Sequence, residues 1–423
     1  MDSVKYAIAL AGGGTKGSYQ IGVWKALREL GVEISTVAGT SIGAINGAAI
    51  AINEFEKTKK LWEHLDPSYL VDYKPIEKEW SFHKKYENIV EQIKDITKKR
   101  GLDITPLRKM LESIINEDVI RNSPIELIVS TISLSKLKPV YMSVKDMPRG
   151  QVVDYILASA ALPIFQRIKI EGSTYLDGGA YDNLPVNTLL ERGYKNIIAV
   201  DMTGTFGIKQ KIMKNNASII YIKNTSMLGG LLEFDAKQAR INLRLGYLDA
   251  MKAFGKNYGK TYFLVKSENE RLTYPLTHDE MRYIFDQVGN GKRDSEINKL
   301  MIKRLLQNLR EYTNESLNPS NAVMAAAEIA AETFEIDRVK EYSCEALVKK
   351  IVKTHKKVMS GFLPETHRID RLRIRLSKHL VKGDDFPGPL LLMTMPKLFI
   401  TNIFIYLMKK RIKEQQTGAG KDS

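Results

Sequence analysis

A serine fenced by glycines, Gly39-Thr40-Ser41-Ile42-Gly43, joins a run ending Val37-Ala38 that reads as a buried strand to an apolar stretch, Ile42 to Ala51, that reads as a helix. So sharp a strand-to-helix turn needs neighbours without Cβ atoms, and it leaves the serine hydroxyl at a helix N-terminus. A similar junction precedes it. Tyr6 to Ala11 reads as a strand, Gly12-Gly13-Gly14-Thr15-Lys16-Gly17 as a loop, and Ser18 to Leu30 as a helix with apolar residues at Ile21, Val23, Trp24, Leu27 and Leu30. Further strands are expected at Ile125–Leu134, Val140–Met142, Asn196–Met202, Ala217–Lys223 and Thr261–Val265, and a long helix at Leu231–Phe254. This alternation predicts an α/β fold with a mixed, mostly parallel sheet covered by helices.

A serine hydroxyl is a poor nucleophile until something takes its proton. The candidate acceptor is Asp177 of Asp177-Gly178-Gly179, which ends the second of two short strands spanning Ile168 to Asp177. An exposed aspartate is a weak base at neutral pH, so the chemistry requires partial burial of this carboxylate. Backbone N–H groups of Gly12, Gly13 and Gly14, at the start of a helix, can donate to a developing oxyanion, and Lys16 adds positive charge.

A G-x-G-x-x-G loop, then G-T-S-x-G, then D-G-G, in that order, resembles the patatin-like phospholipases, lipid acyl hydrolases with a Ser-Asp dyad. Gly101 to Leu107, Ala158-Ser159-Ala160-Ala161-Leu162-Pro163-Ile164-Phe165 and Asn183-Leu184-Pro185 extend the similarity. The resemblance implies a three-layer fold with helices on both faces of the sheet, Ser41 as nucleophile and Asp177 as proton acceptor. It also implies an oxyanion hole at Gly12, Gly13 and Gly14, with Thr15, Lys16, Gly17, Gly39, Thr40, Gly43, Gly178 and Gly179 as supporting motif residues. The loop often carries arginine where this chain has Lys16, which keeps the charge and loses the planar fork of donors. No metal or organic cofactor is implied. The expected organisation is a catalytic domain over 4–266 with its motif-bearing core at 6–190, a mainly helical region over 267–388, an apolar and basic segment over 389–413, and a flexible tail over 414–423.

Other readings of the same residues were weighed. The Gly12–Gly17 loop fits a dinucleotide-binding fingerprint, but the second strand ends in Gly39-Thr40-Ser41 where an acidic residue is wanted, and Lys16 precedes Gly17 instead of following it as a Walker loop demands. A Ser-His-Asp triad would draw on His278, His355, His367 or His379, all in charged, helical-looking stretches; His64 and His83 precede the acid. A membrane-associated binding or scaffolding protein that keeps the fold with little turnover is the alternative from another class.

The net charge of +15 and pI near 9.4 call for an anionic partner. Basic runs at Lys57–Lys60, Lys98–Arg100 and beyond Lys349 lack any zinc-finger spacing or RNA-binding aromatic signature, so a lipid substrate at an anionic membrane surface is expected and nucleic acid is not. One cysteine, Cys344, and a start without a secretory signal suggest a cytoplasmic setting. Thr366 to Leu380 reads as a helix with a basic face. Leu390 to Met408 is long enough to span a bilayer, but Pro396 and Lys397 interrupt it, and it reads as an interfacial helix or a helix packed on the protein's own core.

Overall fold

Buried aliphatic runs make the strands, and the residues between them make the helices that cover the sheet. The computed structural model describes residues 4–66, 103–202, 207–266, 274–289, 296–314, 316–360 and 388–418. They form two units, Met1–Ala253 and Phe254–Ser423. The basic Lys98–Arg100 run, Gly101-Leu102 and the expected Thr366–Leu380 helix lie outside the described residues, as do His83, His367 and His379.

The first unit holds β1 (Lys5–Leu10), β2 (Glu33–Thr40), β3 (Glu126–Ser133), β4 (Lys138–Ser143), β5 (Ile168–Ile170), β6 (Ser173–Asp177), β7 (Asn196–Asp201) and β8 (Ser218–Lys223). Its helices include α1 (Ser18–Glu29), α2 (Ile42–Ala51), α3 (Phe55–Glu63), α4 (Thr105–Ile114), α5 (Glu117–Arg121), α6 (Val152–Ser159), α7 (Val186–Glu191) and α8 (Ala236–Ala253). The strands lie in the order β5-β6-β3-β2-β1-β7-β8, with β4 also against β3. From β3 through β2, β1 and β7 to β8 the pairing is parallel, and it is antiparallel at β4, β6 and β5. Helices cover both faces, as a parallel sheet of buried strands requires.

One detail of register positions the site. β2 pairs with the first part of β3 as far as Thr40 opposite Ser130, and β6 takes over with Asp177 opposite Thr131, while β4 holds the other edge of β3 along Ile128–Ser133. The residue before Ser41 and the carboxylate therefore face consecutive residues of one strand.

Two boundaries differ from the sequence expectation. The long helix begins at Ala236 and not at Leu231, because Asp235 Oδ1 accepts the Lys237 N–H at 2.7 Å and caps it. The first unit closes at Ala253 and not at 266, because the strand expected at Thr261–Val265 leaves the main sheet: β9 (Phe263–Val265) pairs with β10 (Glu341–Ser343) in the second unit.

The second unit is otherwise helical: α9 (His278–Gly289), α10 (Glu296–Arg310), α11 (Pro319–Thr333), α12 (Cys344–Met359), α13 (Gly388–Thr394) and α14 (Pro396–Gly418). Asn318 opens α11 with a capping box. Most of the apolar segment 389–413 is core here: Leu391, Leu392, Phe399, Ile403, Phe404 and Met408 are buried. Polar residues of the segment also find partners within the unit. Lys397 Nζ lies 2.8 Å from Glu332 Oε2, Thr401 Oγ1 is 3.0 Å from Thr333 Oγ1, and Arg411 is buried against Glu280 at 2.6 Å. α14 continues to Gly418, into the segment expected as a frayed tail. Among the described residues no helix is long and apolar enough to cross a membrane.

Arg411 and Glu280 form a two-pronged pair that is shut off from water. Glu280→Gln leaves the guanidinium buried without its counter-charge, and the expected loss is about 3 to 5 kcal/mol of unfolding free energy in urea titrations. Replacing both partners by apolar residues of similar volume (Glu280→Leu with Arg411→Met) should recover most of it.

Candidate active site

Ser41 is the cap of α2, with φ 56° and ψ −124°. A residue with a Cβ seldom adopts this conformation, and it persists where surrounding bonds over-determine it. Those bonds are present. The Ser41 N–H donates to Ser159 Oγ at 2.8 Å, Ser159 Oγ–H donates to the Ser130 carbonyl at 2.6 Å, and Thr40 Oγ1–H donates to the Asp182 carbonyl at 3.0 Å. Behind the serine, a Cβ at Gly43 would come within 2.4 Å of the Leu10 carbonyl oxygen, so only glycine lets α2 start this close to β1.

Asp177 is buried, 5% exposed, at the end of β6. Its Oδ1 accepts the Gly179 N–H at 2.7 Å, whereas Oδ2 has no hydrogen-bond partner among the described residues. Burial pushes the carboxyl up to about 6, against smaller lowering effects from the Ser41 hydroxyl and the Gly179 N–H. Ser41 is thus near enough to act on the carboxylate, yet no formed hydrogen bond closes the pair, as is common before substrate binds. The expected partial burial of Asp177 proves to be nearly complete.

The glycine loop departs from expectation at one position. The Gly12 N–H already donates to the Asn183 carbonyl at 3.1 Å, and Asn183 Nδ2 donates back to the Gly12 carbonyl at 3.3 Å. Gly12 is therefore a clasp, and the amides of Gly13 and Gly14 are the loop donors without an acceptor among the described residues. Lys16 is buried, which lowers its pKa. Beneath the loop, Asn46 Nδ2 donates to the Gly17 carbonyl at 3.0 Å and to Gln20 Oε1 at 2.8 Å, and Gln20 Nε2 donates to the Ala11 carbonyl at 2.7 Å. Ser159 and Asn183 stand in the motif segments read from sequence, but nothing local marks them as braces; Asn46 carries no motif signal at all.

Ser41 opens onto a cavity of about 1000 Å³, counting the space that is open to solvent, with an almost wholly apolar lining. Ile42, Ile45 and Ala49 line it from α2, and Leu107 and Leu111 from α4. The positions on α2 fall on one helix face and carry the wall about 10 Å from the serine. Among the described residues no histidine lines this cavity, and His64 at the end of α3 faces solvent, its Nδ1 2.9 Å from the Lys60 carbonyl.

A family profile described as patatin-like phospholipase matches residues 8–190, which include Ser41, Asp177 and the glycine loop. Over those residues the chain is similar to the patatin-like phospholipase family. Lysophospholipase nte1 of Aspergillus terreus is 31% identical over 211 residues, covering 46% of this chain and 12% of that protein. The mouse patatin-like phospholipase domain-containing protein 7 is 26% identical over 211 residues, covering 46% of this chain and 13% of its own length. The chain therefore spans only a small fraction of these curated relatives. The crystal structure of VipD from Legionella pneumophila aligns over 96% of this chain and 91% of that one at 15% identity, with a TM-score of 0.41.

A carboxyl whose folded pKa lies near 6, above the ordinary 3.8, contributes stability that is complete below the lower value and lost as pH rises through the higher one. Asp177→Asn should accordingly raise the unfolding free energy at about pH 8, on the order of 3 kcal/mol, and add little at about pH 4. Thermal melts of both forms across that range check the sign.

Proposed function

We propose that this chain is a serine lipid acyl hydrolase that cleaves a carboxylic ester of a glycerolipid through a Ser41–Asp177 dyad. The observation that carries the reading is a buried carboxylate with one unpartnered oxygen, its pKa near 6, beside a strained serine at the mouth of an apolar cavity.

Ser41 Oγ attacks the ester carbonyl carbon while Asp177 takes the hydroxyl proton. The carbonyl electron pair moves onto oxygen, and the N–H groups of Gly13 and Gly14 hold that charge with help from the start of α2. The ester C–O bond then breaks, Asp177 passes its proton to the departing alkoxide, and the acyl group stays on Ser41. Water attacks the acyl-enzyme as Asp177 accepts its proton, and the second collapse breaks the bond to Ser41 Oγ, which takes that proton back from Asp177 as the fatty acid leaves. The apolar cavity along α2 and α4 supports a long acyl chain as the part of the substrate that is buried. The names of these relatives, lysophospholipase and patatin-like phospholipase, accord with this class.

Ser41→Ala and Asp177→Asn, each folded, should lose at least about 10³-fold in kcat on lipid esters and resist fluorophosphonate labelling. Parent-like turnover in either would refute the dyad. Since Asp177 acts ionised, kcat/KM should climb with pH below about 6 and level off above it.

We further propose that the substrate is met at an anionic lipid surface. Leu390 and Met393 stand exposed on α13, Ile297 and Leu300 on α10, and Leu300 and Met393 share a shallow groove with Lys303. Leu390→Asp with Met393→Asp should reduce co-sedimentation with phosphatidylglycerol vesicles several-fold, and undiminished binding would exclude this face.

A further inference from the structure

The segment Gly229-Gly230-Leu231-Leu232-Glu233-Phe234 lies beyond the residues that match the family, yet its backbone packs directly against the glycine loop. The Thr15 N–H donates to the Leu231 carbonyl at 3.0 Å, and Thr15 Oγ1–H donates to the Gly230 carbonyl at 2.9 Å. Gly14 sits directly beneath: at its φ of +55°, a Cβ would lie 2.1 Å from the Leu231 carbonyl oxygen. The same short segment turns two side chains, Leu232 and Phe234, into the cavity that begins at Ser41. One stretch of chain therefore forms both a wall of the acyl cavity and the clamp on the oxyanion loop.

The segment is pinned at both ends. Leu228 is buried, and its carbonyl accepts Asn242 Nδ2 at 3.0 Å from α8, while Asp235 begins α8 as its cap. Between these anchors Glu233 Oε2 accepts the Gly230 N–H at 2.7 Å and closes the turn. With both ends fixed, a side chain displaced inside the cavity moves Leu231, and Leu231 moves Thr15 and Gly14. Oxyanion donors act over a window of a few tenths of an ångström, and misplacement by about 1 Å can cost 10²-fold.

We propose that Gly229–Phe234 selects the acyl chain through Leu232 and Phe234 and, by its grip on Thr15, makes catalytic rate depend on how well that chain fills the cavity. The proposal rests on the acyl-hydrolase reading above and deepens it. Chain fit then appears in kcat as well as in KM, since a chain that seats Leu232 and Phe234 also seats the donors of Gly13 and Gly14.

The test uses the full chain and p-nitrophenyl esters graded from butyrate to palmitate, with melts confirming that each variant folds. Leu232→Ala and Phe234→Ala should each lower the palmitate-to-butyrate ratio of kcat/KM about tenfold, with part of the fall in kcat. Thr15→Val, which keeps the N–H bond to Leu231 and loses the hydroxyl bond to Gly230, should lower kcat and slow fluorophosphonate labelling, and Thr15→Ser should restore both. Parent-like ratios in the Leu232 and Phe234 variants, with activity that still requires Ser41, would overturn the selection. A fall confined to KM, or Thr15→Val indistinguishable from the parent, would overturn the coupling. Ester cleavage that survives Ser41→Ala would instead sink the dyad reading beneath both.

Discussion

Everything at this site depends on one edge of β3. Parallel pairing brings β2 to Ser130, antiparallel pairing brings β6 to Thr131, and the two partners meet end to end beside Ser41 and Asp177. Adjacent strand residues are about 3.3 Å apart along the chain, so main-chain hydrogen bonds alone set the spacing between two groups remote in sequence. Two further bonds to β3 complete the arrangement. The Ser130 carbonyl takes the Ser159 hydroxyl that steadies the elbow, and Thr131 Oγ1 bonds the Leu176 carbonyl and keeps β6 in place.

Burial of a carboxylate does not by itself announce chemistry, and this molecule holds its own control. Asp249 is buried and also pushed up to about 6. Its oxygens, however, accept from Tyr19 Oη at 3.0 Å and from Thr225 Oγ1 at 3.1 Å, so it ties α8 to α1 and to the loop after β8 and leaves no oxygen open to a substrate. Asp177 differs in one atom, the unpartnered Oδ2. The distinction lies in hydrogen-bond completeness, since both carboxyls are pushed up alike.

Much of the first unit was legible in sequence because its demands are local. A backbone carbonyl at Leu10 forbids a side chain at Gly43, and Asp177 ends the second of two short strands joined at a Gly turn. What escaped is decided between distant segments. Gly12 looks like its two neighbours until Asn183 occupies its amide, and Ser159 and Asn46 are ordinary polar residues until their partners arrive. The start of α8 was misread because Leu231-Leu232 continue the apolar period, although Asp235 carried a legible cap signal. The apolar helix α14 shows the limit most plainly. A broad greasy face with a thin polar line suits a membrane surface or a core equally well, and the choice was made by Glu332, Thr333 and Glu280, which no window around Lys397 contains.

Helix α2 has two faces under different law. Toward the sheet it shows Gly43, Ala44, Gly47 and Ala48, where no extra atom is admitted; toward the cavity it shows Ile42, Ile45 and Ala49. Change on the first face moves the serine, whereas change on the second reshapes the cavity. Room for variation is therefore open on one side of α2 and closed on the other, where the Leu10 carbonyl admits no side chain at Gly43.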